Sequence, residues 1–409
     1  MWTDADIGNQ LDWYRHVSTN TMPAKFQIAR RVMVPEFDGM SSEELWSVHA
    51  KATDEFLKLW KEVRLNGQSI TALPEPTPSL MDLNVELVQR MARNCVFCRW
   101  RCGVDRSQPE GAKRGTCQLG LESRVGSYFH HRGEELIYRG THGSGTIFFT
   151  SCNMRCVFCQ NGSISKDRLN GLVVNPEDLA MIIRQLRIEG CHNINFVGGD
   201  PIVHLHTIIE AISKLRLHMA DQLPDRLRSL QSDWWYGYRP SLKHADYQGM
   251  FNAPMLWNSN FFMSDEAMAI LRTVMDVWLP DLKFYSKECA RELSRTPWYF
   301  ETVSKKIKQI YDWGESFSIR HLIMPNHVEC CTKPILEWIA SEVPNALVNI
   351  MDQYHPDSFT DPNSPEYNSR YVAISRFPTR EEIKRAYEIA DELGIIYEQI
   401  TFERFYRNG

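Results

Sequence analysis

Three cysteines, Cys152, Cys156 and Cys159, stand in the run Thr150-Ser151-Cys152-Asn153-Met154-Arg155-Cys156-Val157-Phe158-Cys159-Gln160-Asn161, just after the apolar stretch Gly145-Thr146-Ile147-Phe148-Phe149. A closed 4Fe–4S electron carrier takes four thiolates. A C-x3-C-x2-C loop supplies one fewer, so it leaves an iron open to a small molecule that is reduced or cleaved there. The rival reading, a zinc knuckle or a chance grouping, lacks a nearby fourth ligand and the paired C-x2-C units that structural zinc uses. The constraint on the fold is equally strong: an apolar strand must deliver the loop to one end of a sheet.

The rest of the chain has to build that sheet. Its 409 residues, 43% hydrophobic and 24% charged, are enough for one large domain with an added part. A net charge of -5 offers no basic field and argues against a nucleic acid partner. No apolar run reaches the roughly 20 residues that span a bilayer, and no basic start followed by an apolar core marks a signal peptide. The expectation is therefore a cytoplasmic protein with no membrane partner. Eleven cysteines, seven of them in two tight groups, suit a reducing compartment as metal ligands better than as disulfides. The others, Cys191, Cys289, Cys330 and Cys331, are scattered, and buried packing is their default reading.

Residues 1–90 carry helical patterns, notably Ser41 to Val63, where Ser41 and Ser42 precede Glu43 and Glu44 as a cap. The Pro-rich run Leu73 to Pro78 follows as a linker or packed loop. Residues 91–145 form a cysteine-rich section with short strands near Arg124–Tyr128 and Glu135–Tyr138. From Thr146 onward apolar runs alternate with amphipathic windows, the pattern of βα units. Expected strands are Thr146–Thr150, Asn193–Val197, Pro254–Asn258, Val277–Leu282, Ser316–Ile323, Leu347–Met351 and Ile395–Thr401. Helices are expected near Pro176–Glu189, His204–Leu217, Asp265–Arg272, Thr302–Trp313, Pro334–Ser341 and Thr379–Leu393. Six or seven such repeats fall short of the eight of a closed barrel. The predicted fold is α/β: a partial (β/α)6-type barrel over 146–401, with a helical N-terminal extension, the cysteine-rich section, an aromatic insert at 219–252 and a tail at 402–409.

Chemistry in such folds sits at the carboxyl ends of the strands, and the remaining motifs fall there. Gly198-Gly199-Asp200 ends one strand, where paired glycines let backbone approach a ligand and leave peptide groups to bond it. Asn258-Ser259-Asn260, Leu279-Pro280-Asp281-Leu282-Lys283 and Arg320-His321-Leu322-Ile323-Met324-Pro325 end three more. A second thiol group, Cys95-x2-Cys98-x3-Cys102 with Cys117, offers four sulfurs, with Gly103, Gly111 and Gly115 bending the chain between them. Four thiolates saturate a metal, so zinc, iron or an auxiliary iron–sulfur cluster would serve.

The cysteine loop, its aromatic Phe158 and the Gly-Gly-Asp turn resemble the radical S-adenosylmethionine superfamily. With Asn349 to Tyr354, Arg376 to Thr379 and the strand-end signatures above, residues 91–401 look like a branch related to the pyruvate formate-lyase activating enzymes, which also carries a Cys-x2-Cys-x3-Cys-Gly-Val group. The resemblance implies a 4Fe–4S cluster on Cys152, Cys156 and Cys159, S-adenosylmethionine on its open iron, and an external electron donor. The electron yields a 5′-deoxyadenosyl radical. It further implies that Gly198, Gly199 and Asp200 meet the amino group of the methionine, and that Phe158, Asn258, Asp281, Lys283 and Arg320 line the cofactor or substrate pocket. A cation suits the methionine carboxylate and acceptors suit the ribose.

A looser likeness joins the whole arrangement to cobalamin-dependent radical enzymes that C-methylate a glutamine of methyl-coenzyme M reductase. It rests on the N-terminal aromatics Trp2, Trp13, Tyr14, Trp46 and Trp60 and on Asp233-Trp234-Trp235-Tyr236-Gly237-Tyr238-Arg239-Pro240. Dense aromatics with arginine suit an interface or the wall of a planar cofactor, with core packing as the rival reading. The Asp-x-His-x2-Gly cobalamin pattern is absent, leaving His130, His131 and tyrosines such as Tyr236 as lower-face candidates. The function expected from this likeness is a protein C-methyltransferase acting on a protein or peptide. Its alternatives are a glycyl-radical activase, a radical enzyme on a small metabolite, and a metal-binding scaffold without activity.

Overall fold

A computed structural model describes residues 4–109, 115–219 and 222–401. Trp2, Gly111 and the expected tail 402–409 lie outside the described residues. The strands are β1 (Ser123–His131), β2 (Ser144–Phe149), β3 (Leu172–Val174), β4 (Ile194–Gly198), β5 (Asp246–Tyr247), β6 (Met250–Phe251), β7 (Met255–Ser259), β8 (Val277–Pro280), β9 (Ser318–Leu322) and β10 (Leu347–Met351).

The main sheet runs in the order β3-β1-β2-β4-β7-β8. Strands β2, β4, β7 and β8 are parallel neighbours. Strand β10 lies parallel to β9, and the bridges Trp278↔Phe317 and Asp281↔Arg320 carry the same direction from β8 to β9. Six parallel strands therefore follow one another around an incomplete barrel, as the count of repeats predicts. Both β7 and β8 are buried along their whole length, as strands covered on two faces must be. The antiparallel β1 lies between β2 and β3 on the other side.

Local chemistry sets the helices between the strands. Asn175 and Asp178 form a capping box at the start of Pro176–Ile188, with proline in the first turn. The helix Ser42–Asn66 begins with the box of Ser41 and Glu44, as expected, and ends at Gly67 in the left-handed region. The helical N-terminus shares the barrel's hydrophobic core: Trp13, Trp257 and Trp278 are all fully buried. Trp13 donates to Asp276 at 2.9 Å, and Lys25 meets Glu315 at 2.5 Å with both side chains out of water. Burying an ion pair is tolerable only with this close geometry.

Two expected strands are corrected. In Glu135–Tyr138 the carbonyl of Glu135 takes the N–H groups of Tyr138 and Arg139, so the segment enters the short helix Leu136–Arg139. Segment Ile395–Thr401 makes a single bridge, Leu347↔Ile396, and then turns, with Ile400 and Thr401 both donating to the Tyr397 carbonyl. In both places local hydrogen bonds outcompete the ladder. Packing also separates the two aromatic groups. Trp13, Tyr14 and Trp60 are core residues, whereas Trp234, Trp235 and Tyr236 are 65%, 63% and 57% exposed.

Candidate functional site

The cysteine loop leaves the carboxyl end of β2 and folds across the ends of β4, β7 and β8. Packing of the Gly-Gly-Asp turn fixes its position. Gly199 donates to the Phe149 carbonyl at 2.8 Å and Asp200 to the Ser151 carbonyl at 3.0 Å. A Cβ on Gly199 would stand 1.7 Å from the Ser151 oxygen, and one on Gly198, at φ +123°, 2.2 Å from that of Phe149. The glycines admit the cysteine loop's own backbone. The N–H groups of Gly199 and Asp200 are thereby spent on the loop, so an amino group at this turn could be met only by carbonyl oxygens.

Asp200 ties the next strand end in. Its carboxylate accepts from Ile202 N–H at 3.0 Å, Asn260 N–H at 2.8 Å and Ser259 Oγ at 3.1 Å. Burial pushes the carboxyl up to about 6 despite these donors. Asn260 then reaches back, donating to Asn153 at 2.7 Å and toward the Cys152 sulfur at 3.6 Å. The thiols of Cys152, Cys156 and Cys159 border one cavity of about 290 Å³. Burial pushes the Cys156 thiol up to about 12 and Cys152 upward as well. Cys152 and Cys156 are thus costly as separate anions, and a metal centre on this cavity would satisfy the three thiols by taking them as thiolate ligands.

Asp281 and Lys283 stand at the end of β8 as an ion pair. Burial works against the Lys283 charge, but Asp281 and Cys156 outweigh it and hold the ammonium above its usual range. Phe158 is buried, edge-on to Phe284 and 5.8 Å from the Tyr354 ring. Beyond Cys159, Gln160 and Asn161 lead into a cavity of about 580 Å³, which Asn258 and Arg320 also line.

Arg320 borders that cavity with its charge already engaged. Its guanidinium holds both oxygens of Glu135, at 2.7 and 2.6 Å, pairs with Glu134, and reaches Asn258 at 3.4 Å. Burial and the adjacent Glu134 push Glu135 above the ordinary carboxyl value although Arg320 opposes them. One cation between two carboxylates leaves this wall acidic, better matched to an ammonium than to a carboxylate. Glu134 and Glu135 carry no sequence signature as site residues; Asn349, the first residue of the Asn349 to Tyr354 run, donates to Glu135 at 2.7 Å.

The second thiol group follows the helix Leu80–Arg93. Gly103, at φ +63°, turns the chain so that its N–H meets the Cys95 carbonyl at 3.0 Å. The Cys95 thiol hydrogen-bonds Cys102 and holds it down to about 6, while burial pushes Cys98 up to about 12. At Gly115 a Cβ would stand 3.6 and 3.8 Å from the Cys102 and Cys117 sulfurs, which places these two thiols side by side, with Cys95 bonded to Cys102 and Cys98 within electrostatic reach of Cys102 and Cys117. Beside them Arg106 is buried over Phe97, and its two terminal nitrogens have no partner among the described residues. A buried guanidinium whose end has no hydrogen-bond partner among the described residues fits an anionic metal–thiolate group next to it. Ser151 Oγ donates to the Cys117 carbonyl at 2.6 Å and Trp100 to that of Asn153 at 2.7 Å, so the two thiol groups brace each other.

His130 is corrected as a lower-face ligand. Its ring nitrogens lie 2.6 Å from the His142 carbonyl and 3.0 Å from Glu189, and Tyr238 stacks on its face at 3.5 Å. His131 instead lines the larger cavity, and Tyr236 is exposed. Cys191 is buried, as expected, but Cys289, Cys330 and Cys331 are not scattered in space.

Residues 146–339 match the radical SAM superfamily, so the chain carries a radical SAM domain, the enzyme domain for which a 4Fe–4S cluster and S-adenosylmethionine are implied. Among individual proteins it is 36% identical, over 398 residues covering 95% of this chain and 100% of the relative, to the uncharacterised protein MJ0674 of Methanocaldococcus jannaschii. Solved structures are more distant. A domain of a pyruvate-formate lyase-activating enzyme from Bacteroides vulgatus aligns over 36% of this chain and 80% of its own, at 16% identity and TM-score 0.27. SuiB of Streptococcus suis, bound to its precursor peptide SuiA, aligns over 86% and 62%, at 13% identity and TM-score 0.39. The chain thus spans 62% of SuiB's length. No helix among the described residues is long and apolar enough to cross a membrane.

Proposed function

We propose that Cys152, Cys156 and Cys159 hold the cluster and that the chain modifies a protein or peptide, most specifically by cobalamin-dependent C-methylation of a glutamine Cα in methyl-coenzyme M reductase. A cluster bound there supplies the electron that opens S-adenosylmethionine to a hydrogen-abstracting radical, and cobalamin supplies the methyl group. The observation that carries the reading is that three thiols, and no fourth among the described residues, border the cavity at the barrel's mouth, with the Asp281–Lys283 pair acting on Cys156. Lys283 offsets charge on the thiolates; the acidic wall of Glu134, Glu135 and Arg320 receives a cationic group; Asp200 and Asn260 keep the loop in place. The exposed run Trp234-Trp235-Tyr236 gives a surface for a large partner.

Anaerobic reconstitution separates the outcomes. Brown protein that cleaves S-adenosylmethionine under dithionite supports the radical step. Bound corrinoid, and a mass gain of one methyl on the reductase peptide, support the methyltransferase. Cleavage with hydrogen exchange into a glycine, and no corrinoid, would move the assignment to a glycyl-radical activase. Failure to bind iron would sink the whole reading.

A further inference from the structure

Three cysteines and one histidine that are dispersed in sequence meet at the ends of β8 and β9. Cys289 sits in the helix Lys287–Ser294, which follows β8, and His327, Cys330 and Cys331 follow β9. The Cys289 and Cys330 sulfurs are 3.8 Å apart, and those of Cys330 and Cys331 are 4.0 Å apart. Donor atoms of Cys289, His327 and Cys330 all lie within 4.8 Å of one another. Two sulfurs on one tetrahedral metal, each bonded at about 2.3 Å, stand about 3.8 Å apart. A disulfide would need about 2.05 Å.

The supporting structure points the same way. His327 places Nδ1 2.7 Å from the Pro325 carbonyl, which fixes the ring and leaves Nε2 for the thiols, the arrangement that orients metal-bound imidazoles. Cys330 and Cys331 lie in the wide π-type turn Val328–Thr332, where the His327 carbonyl accepts from both Cys331 and Thr332, at 3.0 and 3.1 Å. Such turns are rare and concentrate at functional positions. The site is separate from both thiol groups described above.

We propose that Cys289, His327 and Cys330, with Cys331 as fourth donor, bind a divalent cation of the zinc class. Binding forms metal–sulfur and metal–nitrogen bonds and releases the thiol protons to solvent, with no change of oxidation state. Its effect is to clamp the β8 loop, which carries Asp281 and Lys283, to the β9 loop.

The test uses the full chain, anaerobically reconstituted with iron and equilibrated with zinc. Wild type is expected to retain one more zinc per chain than Cys330→Ser or His327→Gln, the latter keeping every thiol. Iron content and circular dichroism should match in all three. Cys330, although exposed, should resist alkylation until a zinc chelator is added and then react at least about 10-fold faster. Equal zinc in wild type and both variants would overturn the proposal. So would rapid alkylation of Cys330 irrespective of chelator, or a Cys289–Cys330 disulfide in the anaerobic protein.

Discussion

The two thiol groups that brace each other are built on opposite plans. Cys95, Cys98, Cys102 and Cys117 lie in turns outside the barrel and offer four sulfurs, two of them, Cys95 and Cys102, within reach of the buried Arg106. Cys152, Cys156 and Cys159 lie on one loop at the strand ends and bring three, facing a cavity and an ion pair. A saturated donor set serves stability or electron relay; an unsaturated one beside a cavity serves chemistry. The difference teaches that donor count must be read with what stands opposite the donors. The largest expected effect follows: Cys156→Ala should reduce S-adenosylmethionine cleavage to the level of the enzyme-free control while the fold persists. Product formation at the wild-type rate would show that the two groups have been assigned the wrong way round.

The converse substitution sharpens the contrast. Cys98→Ala should remove the metal of the four-thiol group and lower the melting temperature by several degrees, with each kcal/mol worth roughly 2–4 °C in a large domain. Iron on the three-thiol loop should remain. Unchanged total metal and unchanged melting would count against any metal at Cys95, Cys98, Cys102 and Cys117. Next comes Gly199→Ala. The added methyl would overlap a backbone oxygen at 1.7 Å, and backbone, unlike a side-chain tip, cannot swing aside. We expect a loss of about 4 kcal/mol or more in denaturant unfolding. Gly249→Ala, at a position with nothing within 4 Å of the new atom, carries only the backbone strain of its positive φ and should cost far less. Equal costs at the two positions would mean that the turn does not hold the cysteine loop.

Legibility followed the range of the interactions. Local signals were sufficient for Asp265–Arg272 and Leu347–Met351, which the structure reproduces residue for residue, and for the capping box at Ser41. They misled at Ile395–Thr401, where apolar content alone implied a strand and a turn at Tyr397 prevailed. The three-thiol loop was readable because its donors are contiguous. Arg320 was readable as a strand-end residue, but its neutralisation by Glu134 and Glu135 spans 186 and 185 residues of chain. The same holds for Cys289 and Cys330, 41 residues apart, whose meeting depends on how β8 and β9 are joined. Sequence spacing shows which donors are neighbours on one loop; only the fold shows which loops are neighbours.

The smallest expected effect concerns how each group is anchored. The three-thiol loop is secured through an ionisable group, Asp200, whose carboxyl burial pushes up to about 6 from an ordinary 3.8. The folded value lies above the unfolded one, so the native state keeps its proton longer. As pH rises between 3.8 and about 6 the unfolded chain releases its proton first, and stability falls across that window, fully so above it. Asp200→Asn cannot titrate. Its constant cost, from lost acceptor capacity toward Ile202, Ser259 and Asn260, is the same at every pH. Wild type and variant should therefore be compared at pH 4 and pH 8 by urea unfolding. The difference should move in the variant's favour by up to about 3 kcal/mol, since each tenfold change in proton affinity between the folded and unfolded chain is worth about 1.4 kcal/mol. The same comparison on Cys98→Ala, whose site has no such carboxylate anchor, should leave that pH dependence as in wild type. A wild-type-to-Asn difference that stays constant from pH 4 to pH 8 would mean that Asp200 holds the strand ends together without bearing the cost of a buried charge, and the contrast in anchoring would disappear.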